Sequence, residues 1–421
     1  MKPTFILGLS ALALAATASA DVTINVTGAT AFRSAALTSI KAKFAAGGSY
    51  KYAHDQASGS LTSSTYSIFI GTFPGISGTT TMRCCFTGSV EGIRALALAP
   101  ASDPSPPMYL PASVATTAAA AGGGETAAVV TSGATTADSD IAFSDVTAAS
   151  TPYASSASSF TTDAVGVIVF TMMTNEGSNI ANVTSQQYRS LLTQGYQPKS
   201  LFTGVASDTS KVFAVGRNDA SGTRTTALAE IGYGITTSVN QYFASTTSGN
   251  TITQLKLCDT SATYASTVWG QNIAGNGGYV SGSGVKTAFG LTSNSTQVVD
   301  ETGAESFAAA PISLITWLGV SDAGSAKTSG GVLCAYNGVS LDLGGTSNAL
   351  STTDKAKIAN GSYTAWGYER MFRKNSASTD IQTAYTGIKN AIPANIGTAG
   401  MPISDLAVGR STDGGNVAPI D

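Results

Sequence analysis

Residues 211–231 read as one strand-to-helix step. Lys211-Val212-Phe213-Ala214-Val215-Gly216 is an apolar run with the look of a buried strand. Arg217-Asn218-Asp219-Ala220-Ser221-Gly222-Thr223 is a turn of small polar residues, and Thr225-Thr226-Ala227-Leu228-Ala229-Glu230-Ile231 follows as a helix. A chain assembled from such steps folds as α/β, because each helix must bury its apolar stripe against the sheet. The junction itself presents free backbone N–H groups and the positive end of a helix dipole, a setting that suits an anion. Arg217 adds a planar fork that matches a tetrahedral oxyanion with two parallel hydrogen bonds.

The same alternation recurs along the chain. Val22 to Val26 alternates as a strand, Thr27-Gly28-Ala29-Thr30 turns, and Ala31 to Phe44 carries Phe32, Ala36, Leu37, Ile40 and Phe44 at helical spacing. Tyr66 to Phe73 and Thr79 to Phe86 read as hairpin partners across Pro74-Gly75-Ile76-Ser77-Gly78. Gly88-Ser89 then leads into a helix bearing Val90, Ile93, Leu96 and Leu98. Strands are expected over Asp140 to Asp145, Val165 to Met172, Thr251 to Leu257 and Tyr363 to Phe372. Helices are expected over Thr184 to Gln194, with Thr184 as N-cap and Gly195 as stop, and over Thr379 to Ile392. Ser313 to Leu318 is apolar and of ambiguous type. Gly270 to Ser295 is rich in Gly, Asn and Ser, and no internal repeat is evident.

The first twenty residues read as an export signal. Lys2 supplies the positive start, Phe5 to Ala16 the apolar stretch and Ala18-Ser19-Ala20 a cleavage site. The expected product begins near Asp21 and is periplasmic or secreted. Its roughly 400 residues exceed one typical core, so two lobes are expected. Charged residues make up only 11% of the chain and the net charge is −3. No Lys/Arg cluster appears, which argues against a nucleic-acid partner. Residues from about Pro100 to Thr136 are low in complexity and read as a long surface insertion.

Four cysteines, Cys84, Cys85, Cys258 and Cys334, allow three pairings. Cys258–Cys334 is preferred, because a bridge between the neighbours Cys84 and Cys85 would be strained. No paired C-x-x-C spacing suggests a metal site. The single histidine, His54, is read as a surface-loop residue within Tyr52-Ala53-His54-Asp55-Gln56. A Ser-His-Asp hydrolase would have to be built on this one imidazole, and no G-x-S-x-G elbow is present. The chain is therefore not expected to be an enzyme, and no cofactor or metal is expected.

Four places share one pattern, a strand end followed by small hydroxyl residues: Thr27-Gly28-Ala29-Thr30-Ala31-Phe32, Gly88-Ser89-Val90-Glu91-Gly92, Phe143-Ser144-Asp145 and Arg217 to Thr223. In an open α/β sheet such strand ends line the ligand crevice. An ordinary Ser or Thr N-cap explains any one of them alone. Their coincidence with an R-x-D-x-S-G-T string is more specific.

On these residues the chain resembles the periplasmic phosphate-binding proteins of bacterial ABC-type phosphate uptake. The family's R-x-D-G-S-G-T is similar to Arg217 to Thr223, with Ala220 in place of a glycine. Its G-A-T-F turn is similar to Gly28-Ala29-Thr30-Ala31-Phe32, with one residue added. Its G-S-x-G turn is similar to Gly88-Ser89-Val90-Glu91-Gly92, and its S-D turn to Ser144-Asp145. Asn182 to Leu192 and Ile358 to Tyr363 resemble a second-lobe helix and a late turn of the family. The spacing from Ser89 to Asp145 is longer than the family's because of the insertion.

The resemblance implies a two-lobed α/β fold of the type II periplasmic binding class, each lobe a mixed sheet flanked by helices, joined by two crossing segments. Residues 21–164 and 323–421 would form the first lobe and 165–322 the second. Thr30, Ser89, Ser221 and Thr223 would give hydroxyl hydrogen bonds, and Ala31, Gly222 and Thr223 backbone N–H groups. Arg217 would bind the anion through both arms of its fork, oriented by Asp219. Asp145 would discriminate, because a carboxylate only accepts hydrogen bonds and so favours an oxyanion that keeps a proton. Inorganic phosphate keeps one near neutral pH; sulfate does not. The implied protein is a monomer that closes on phosphate without chemistry and feeds a membrane ABC transporter. The alternative is a surface or matrix protein on the same fold with a degenerate anion site. Glu91 is expected close to the site. Arg33 is read as a solvated first-turn residue, with a second cation beside the anion as the other reading.

Overall fold

The computed structural model describes residues 20–56, 60–114, 117–119, 134–259, 273–344, 349–397 and 400–420. The export signal and most of the Ala/Gly/Thr tract lie outside the described residues. The strands used below are β1 (Val22–Gly28), β2 (Tyr50–His54), β3 (Tyr66–Gly71), β4 (Thr80–Cys85), β5 (Ile141–Ser144), β6 (Phe160–Thr174), β7 (Lys211–Ala214), β8 (Ile312–Gly319), β9 (Val332–Tyr336) and β10 (Trp366–Lys374). The helices are α1 (Arg33–Gly47), α2 (Ser89–Ala97), α3 (Ser185–Gln194), α4 (Gly222–Glu230), α5 (Gly282–Phe289), α6 (Val320–Thr328), α7 (Thr352–Ala359) and α8 (Thr379–Asn395).

A mixed sheet runs through the molecule in the order β7-β8-β6-β10-β5-β1-β4-β3-β2. The 15-residue β6 joins its two halves. Phe160 to Val169 pairs antiparallel with β10, and Phe170 to Thr174 pairs with β8 and β9. Each half has its own core. One gathers Phe32, Ile40, Phe44, Phe69, Phe143 and Ile388; the other gathers Phe170, Leu191, Phe213, Leu314, Trp317 and Tyr363. A smaller four-stranded sheet (242–248, 251–257, 296–299, 305–310) adds Ile252, Leu255 and Val298 to the second core. The fold is thus mixed α/β with helix-flanked sheets. Among the described residues no helix is long and apolar enough to cross a membrane.

The second core also takes in Cys334, Tyr336, Leu341, Leu343, Ile358 and Tyr363. Met401, Leu406 and Val408, after β10, belong to this core too, while β10 itself pairs with β5 and β6.

Local chemistry explains why the elements start and stop where they do. Thr184 accepts from the Gln187 backbone N–H while the Gln187 side chain accepts from the Thr184 N–H, a reciprocal cap for α3. Gly195 ends α3 at φ 80°, where a side chain would be strained. Ser313 to Leu318 belongs to β8, whose residues are buried on both faces up to Leu318. That explains the missing alternation, as in other strands covered on both sides.

Two expectations are corrected. His54 is not a loop residue: it ends β2, only 1% exposed, and its Nδ1 accepts from the Gln56 N–H at 3.2 Å. The Cys258–Cys334 bridge is absent, and all four cysteines are free buried thiols. The two belong to different neighbourhoods. Cys334 sits on β9 and donates to the Ile180 carbonyl at 3.1 Å, whereas the Cys258 backbone pairs with Gln241 and Gly275. Burial pushes each thiol up to about 12.

Candidate functional site

The parallel strands β4, β1 and β5 are neighbours, so their carboxyl ends lie on one edge. Ser89, Thr30 and Asp145 follow those ends. In the second half β7 runs parallel to β8, and Arg217 to Thr223 and Asp322 follow their ends. This is the crevice geometry expected of strand ends in an open sheet.

Close backbone approach fixes the first edge. Gly28 has φ 131° and lies so near the Phe143 carbonyl that a Cβ there would collide with it. A Cβ on Gly92 would come within 2.8 Å of Gly28 Cα, so α2 seats directly on β1. The Ala29 N–H donates to the Phe143 carbonyl and the Gly88 N–H to the Gly28 carbonyl, each at 3.0 Å. Phe32 plugs the turn below, fully buried with its ring 6.4 Å from that of Phe143. Burial of such a ring contributes about 1.5–3 kcal/mol. Neither Phe32 nor Gly88 gives α1 or α2 a side-chain cap, so their first N–H groups are not taken by a capping side chain.

The two edges touch at Gly222. A Cβ there would strike Ser89 Oγ and lie 2.9 Å from Asp145 Cγ. The Ser89 hydroxyl donates to Asp145 Oδ1 at 2.6 Å, and the Thr223 hydroxyl reaches Asp145 Oδ2 at 3.5 Å. The Val90 N–H donates to the Ala220 carbonyl at 3.3 Å, pinning α2 to the loop before α4. Ser89, Asp145, Gly222 and Thr223, drawn from three separate segments, thus form one buried cluster.

The other candidate residues stand differently. Thr30 and Ala31 line the neighbouring clefts rather than the cluster, and Ala31 meets the second half near Gly319. Ser221 is the N-cap of α4, accepting from the Arg224 N–H at 3.4 Å. Arg217 is 5% exposed, and it donates from Nε to the Tyr279 carbonyl at 3.1 Å and from Nη2 to the Val280 carbonyl at 3.0 Å. One edge of its fork is therefore held by backbone, and Nη1 with the second Nη2 hydrogen remains for a ligand. Burial pulls the Arg217 guanidinium below its usual value, opposed by the charges of Asp322, Asp145 and Glu91. The charge of Asp219 opposes the burial of Arg224.

Arg33 is the second cation near Arg217 rather than a solvated residue. It lines two clefts of about 390 and 500 Å³ that meet at Thr30, Thr65 and Ser281. Burial lowers its guanidinium, with Asp322 and then Asp55 opposing. Two acids escaped the motif reading. Asp322 follows β8, and its carboxylate abuts Gly282 at the start of α5. Burial raises it, with Arg217 the largest opposing charge. Glu369 on β10 lies beside Asp145. Asp322 follows the strand end Gly319-Val320-Ser321, a Ser-Asp step like Ser144-Asp145 that the motif reading left out; Glu369 lies within β10, where only strand pairing could have pointed to it. Among the described residues no group of three or more His, Cys, Asp or Glu could hold a metal ion.

No family model matches the chain. No curated protein matches it either. Solved structures are similar along most of its length. An ABC-type phosphate transport receptor from Vibrio cholerae aligns at 12% identity over 90% of this chain and 100% of that one, with a TM-score of 0.47. PstS from Borrelia burgdorferi aligns at 11% identity over 90% and 99%, with a TM-score of 0.39. A mutant OxyR from Corynebacterium glutamicum also aligns, at 7% identity over 90% and 67%, with a TM-score of 0.37. Similarity at this level reaches proteins of different roles, so a function has to stand on the site itself.

Proposed function

We propose that the chain is a non-catalytic binding protein for a proton-bearing tetrahedral oxyanion, inorganic phosphate, exported to the periplasm or beyond and supplying an ABC-type uptake system. The observation that carries this is the contact of Ser89, Asp145, Gly222 and Thr223 beside Arg217. Hydroxyls, a helix N-terminus and a guanidinium supply donors; one carboxylate supplies the acceptor for the ligand's own proton. The two halves, which share β6 and β10, would close on the ligand as lobes.

A second reading keeps the fold and gives up the ligand. The Ser89 hydroxyl already donates to Asp145, and two Arg217 donors already meet carbonyls. On that reading the cluster is a structural clasp of an extracellular surface protein. Thermal unfolding with added phosphate or sulfate separates the two. A ligand that binds only the folded state raises the midpoint by mass action. Phosphate should raise it and sulfate should not; no shift with either favours the clasp.

A further inference from the structure

Glu369 lies outside every motif and inside the candidate site. β10 runs antiparallel to β5, with Met371 opposite Phe143 and Arg370 opposite Ser144. One further step of that register sets Glu369 against Asp145, and directly opposed residues of an antiparallel pair point to the same face. The strands stay adjacent there: a Cβ on Gly367 would lie 3.6 Å from the Asp145 carbonyl oxygen. Glu369 is 0% exposed, and among the described residues no N–H or O–H donor reaches either of its carboxyl oxygens.

An ionised carboxylate without donors is very costly to bury, and two carboxyls sharing a buried site cannot both ionise. The surroundings decide which one keeps the proton. Asp145 has the Ser89 hydroxyl at 2.6 Å, the Thr223 hydroxyl at 3.5 Å and the field of Arg217. Glu369 has none of these. Burial, then the Asp145 charge, push Glu369 well above the usual carboxylate range. Burial also raises Asp145, but the Ser89 bond, the Arg217 charge and Glu369 itself pull it back. The other charge acting on Glu369 is Arg370, whose guanidinium turns to Asp413 at 3.1 Å.

We propose that Glu369 is a positioning and specificity-determining residue of the anion site: as a neutral carboxylic acid it donates its proton to Asp145 and holds Asp145 as the ionised, acceptor-only group that selects an oxyanion bearing its own proton. The inference rests on the phosphate reading above. It separates the two carboxyls by role. Asp145 meets the ligand, and Glu369 acts only through Asp145.

The test uses the full chain as wild type, Glu369→Gln and Glu369→Met, each checked for folding by circular dichroism. Infrared spectra at neutral pH should show the carbonyl stretch of a protonated carboxylic acid in wild type, lost in Glu369→Gln. In calorimetric titrations with phosphate and sulfate, Glu369→Gln keeps an N–H donor for Asp145 and should keep the wild-type preference. Glu369→Met removes the donor and should lower the phosphate-over-sulfate preference about tenfold, the scale of one hydrogen bond to a charged group. No acid band in wild type, a band that survives in Glu369→Gln, or wild-type preference in Glu369→Met overturns the proposal. If Glu369→Met fails to fold, the band and the Gln variant still decide it. Wild type that shows the band but binds no phosphate overturns the phosphate reading and the selector role with it, leaving only a buried carboxyl pair.

Discussion

Ser89 Oγ donates a 2.6 Å hydrogen bond to Asp145 Oδ1, joining the start of α2 to the turn after β5 across 56 residues of sequence. The pair stands on the edge formed by the parallel strands β4, β1 and β5. A ligand that enters with its own O–H can replace this donor, freeing the serine hydroxyl to turn toward the ligand. An oxyanion without a proton offers Asp145 nothing in return and leaves a buried acceptor unpaired. Such a loss costs about 1–3 kcal/mol, and more for a charged group.

Asp145→Asn follows from this pairing. The amide keeps the size and presents N–H donors where the carboxylate presented only acceptors. The phosphate-over-sulfate preference is expected to fall by about 1–3 kcal/mol, mostly through improved sulfate binding. Competition titrations measure it, and an unchanged preference would remove Asp145 from the selecting role.

Gly222→Ala tests the contact between the two edges. The added methyl would strike Ser89 Oγ and crowd Asp145 Cγ. Overpacking of a buried contact typically costs about 1–3 kcal/mol. The urea midpoint should drop accordingly, and phosphate binding should weaken further than stability alone requires. A variant as stable as wild type would show that the edges do not touch there.

The thiols give an independent check on the packing. Four free, buried cysteines whose thiols are raised to about 12 should resist alkylation in the native protein. Denaturation without reductant should release four reactive thiols per chain. A count of two would restore the bridge between Cys258 and Cys334 or another pairing.

Much of the architecture was legible in the sequence because local rules and tertiary fold agree. The strand-to-helix step at 211–231, the Thr184 cap, the Gly195 stop and the strand Thr251–Leu257 all appear where residue chemistry puts them. His54 was misread because a buried strand end can be polar when a backbone donor satisfies it. The thiols were misread because pairing depends on which elements meet, and cysteine spacing carries no such information. At the site, glycine and hydroxyl turns marked Ser89, Asp145, Gly222 and Thr223. Glu369 left no local trace, since it reaches the site only through strand register, whereas Asp322 follows the strand end Gly319-Val320-Ser321, a Ser-Asp turn the reading passed over.

Stability should depend on pH through Glu369. Its folded value lies well above the usual 4.5, so the folded chain holds a proton that the unfolded chain releases. That contribution is complete below the unfolded value and is lost as pH rises through the folded one. Asp145 is raised too and acts in the same direction. Denaturation across this range should show wild type losing stability toward alkaline pH faster than Glu369→Gln. Parallel pH profiles would contradict the shared-proton pair.

The most direct measurement of the central claim is calorimetric titration of the purified chain, freed of bound anion by unfolding and refolding, with phosphate and then sulfate near neutral pH. Saturable binding of one phosphate per chain, abolished or greatly weakened in Arg217→Ala and not reproduced by sulfate, is the predicted result. No heat and no thermal shift with phosphate, from a chain shown to be folded, would contradict it.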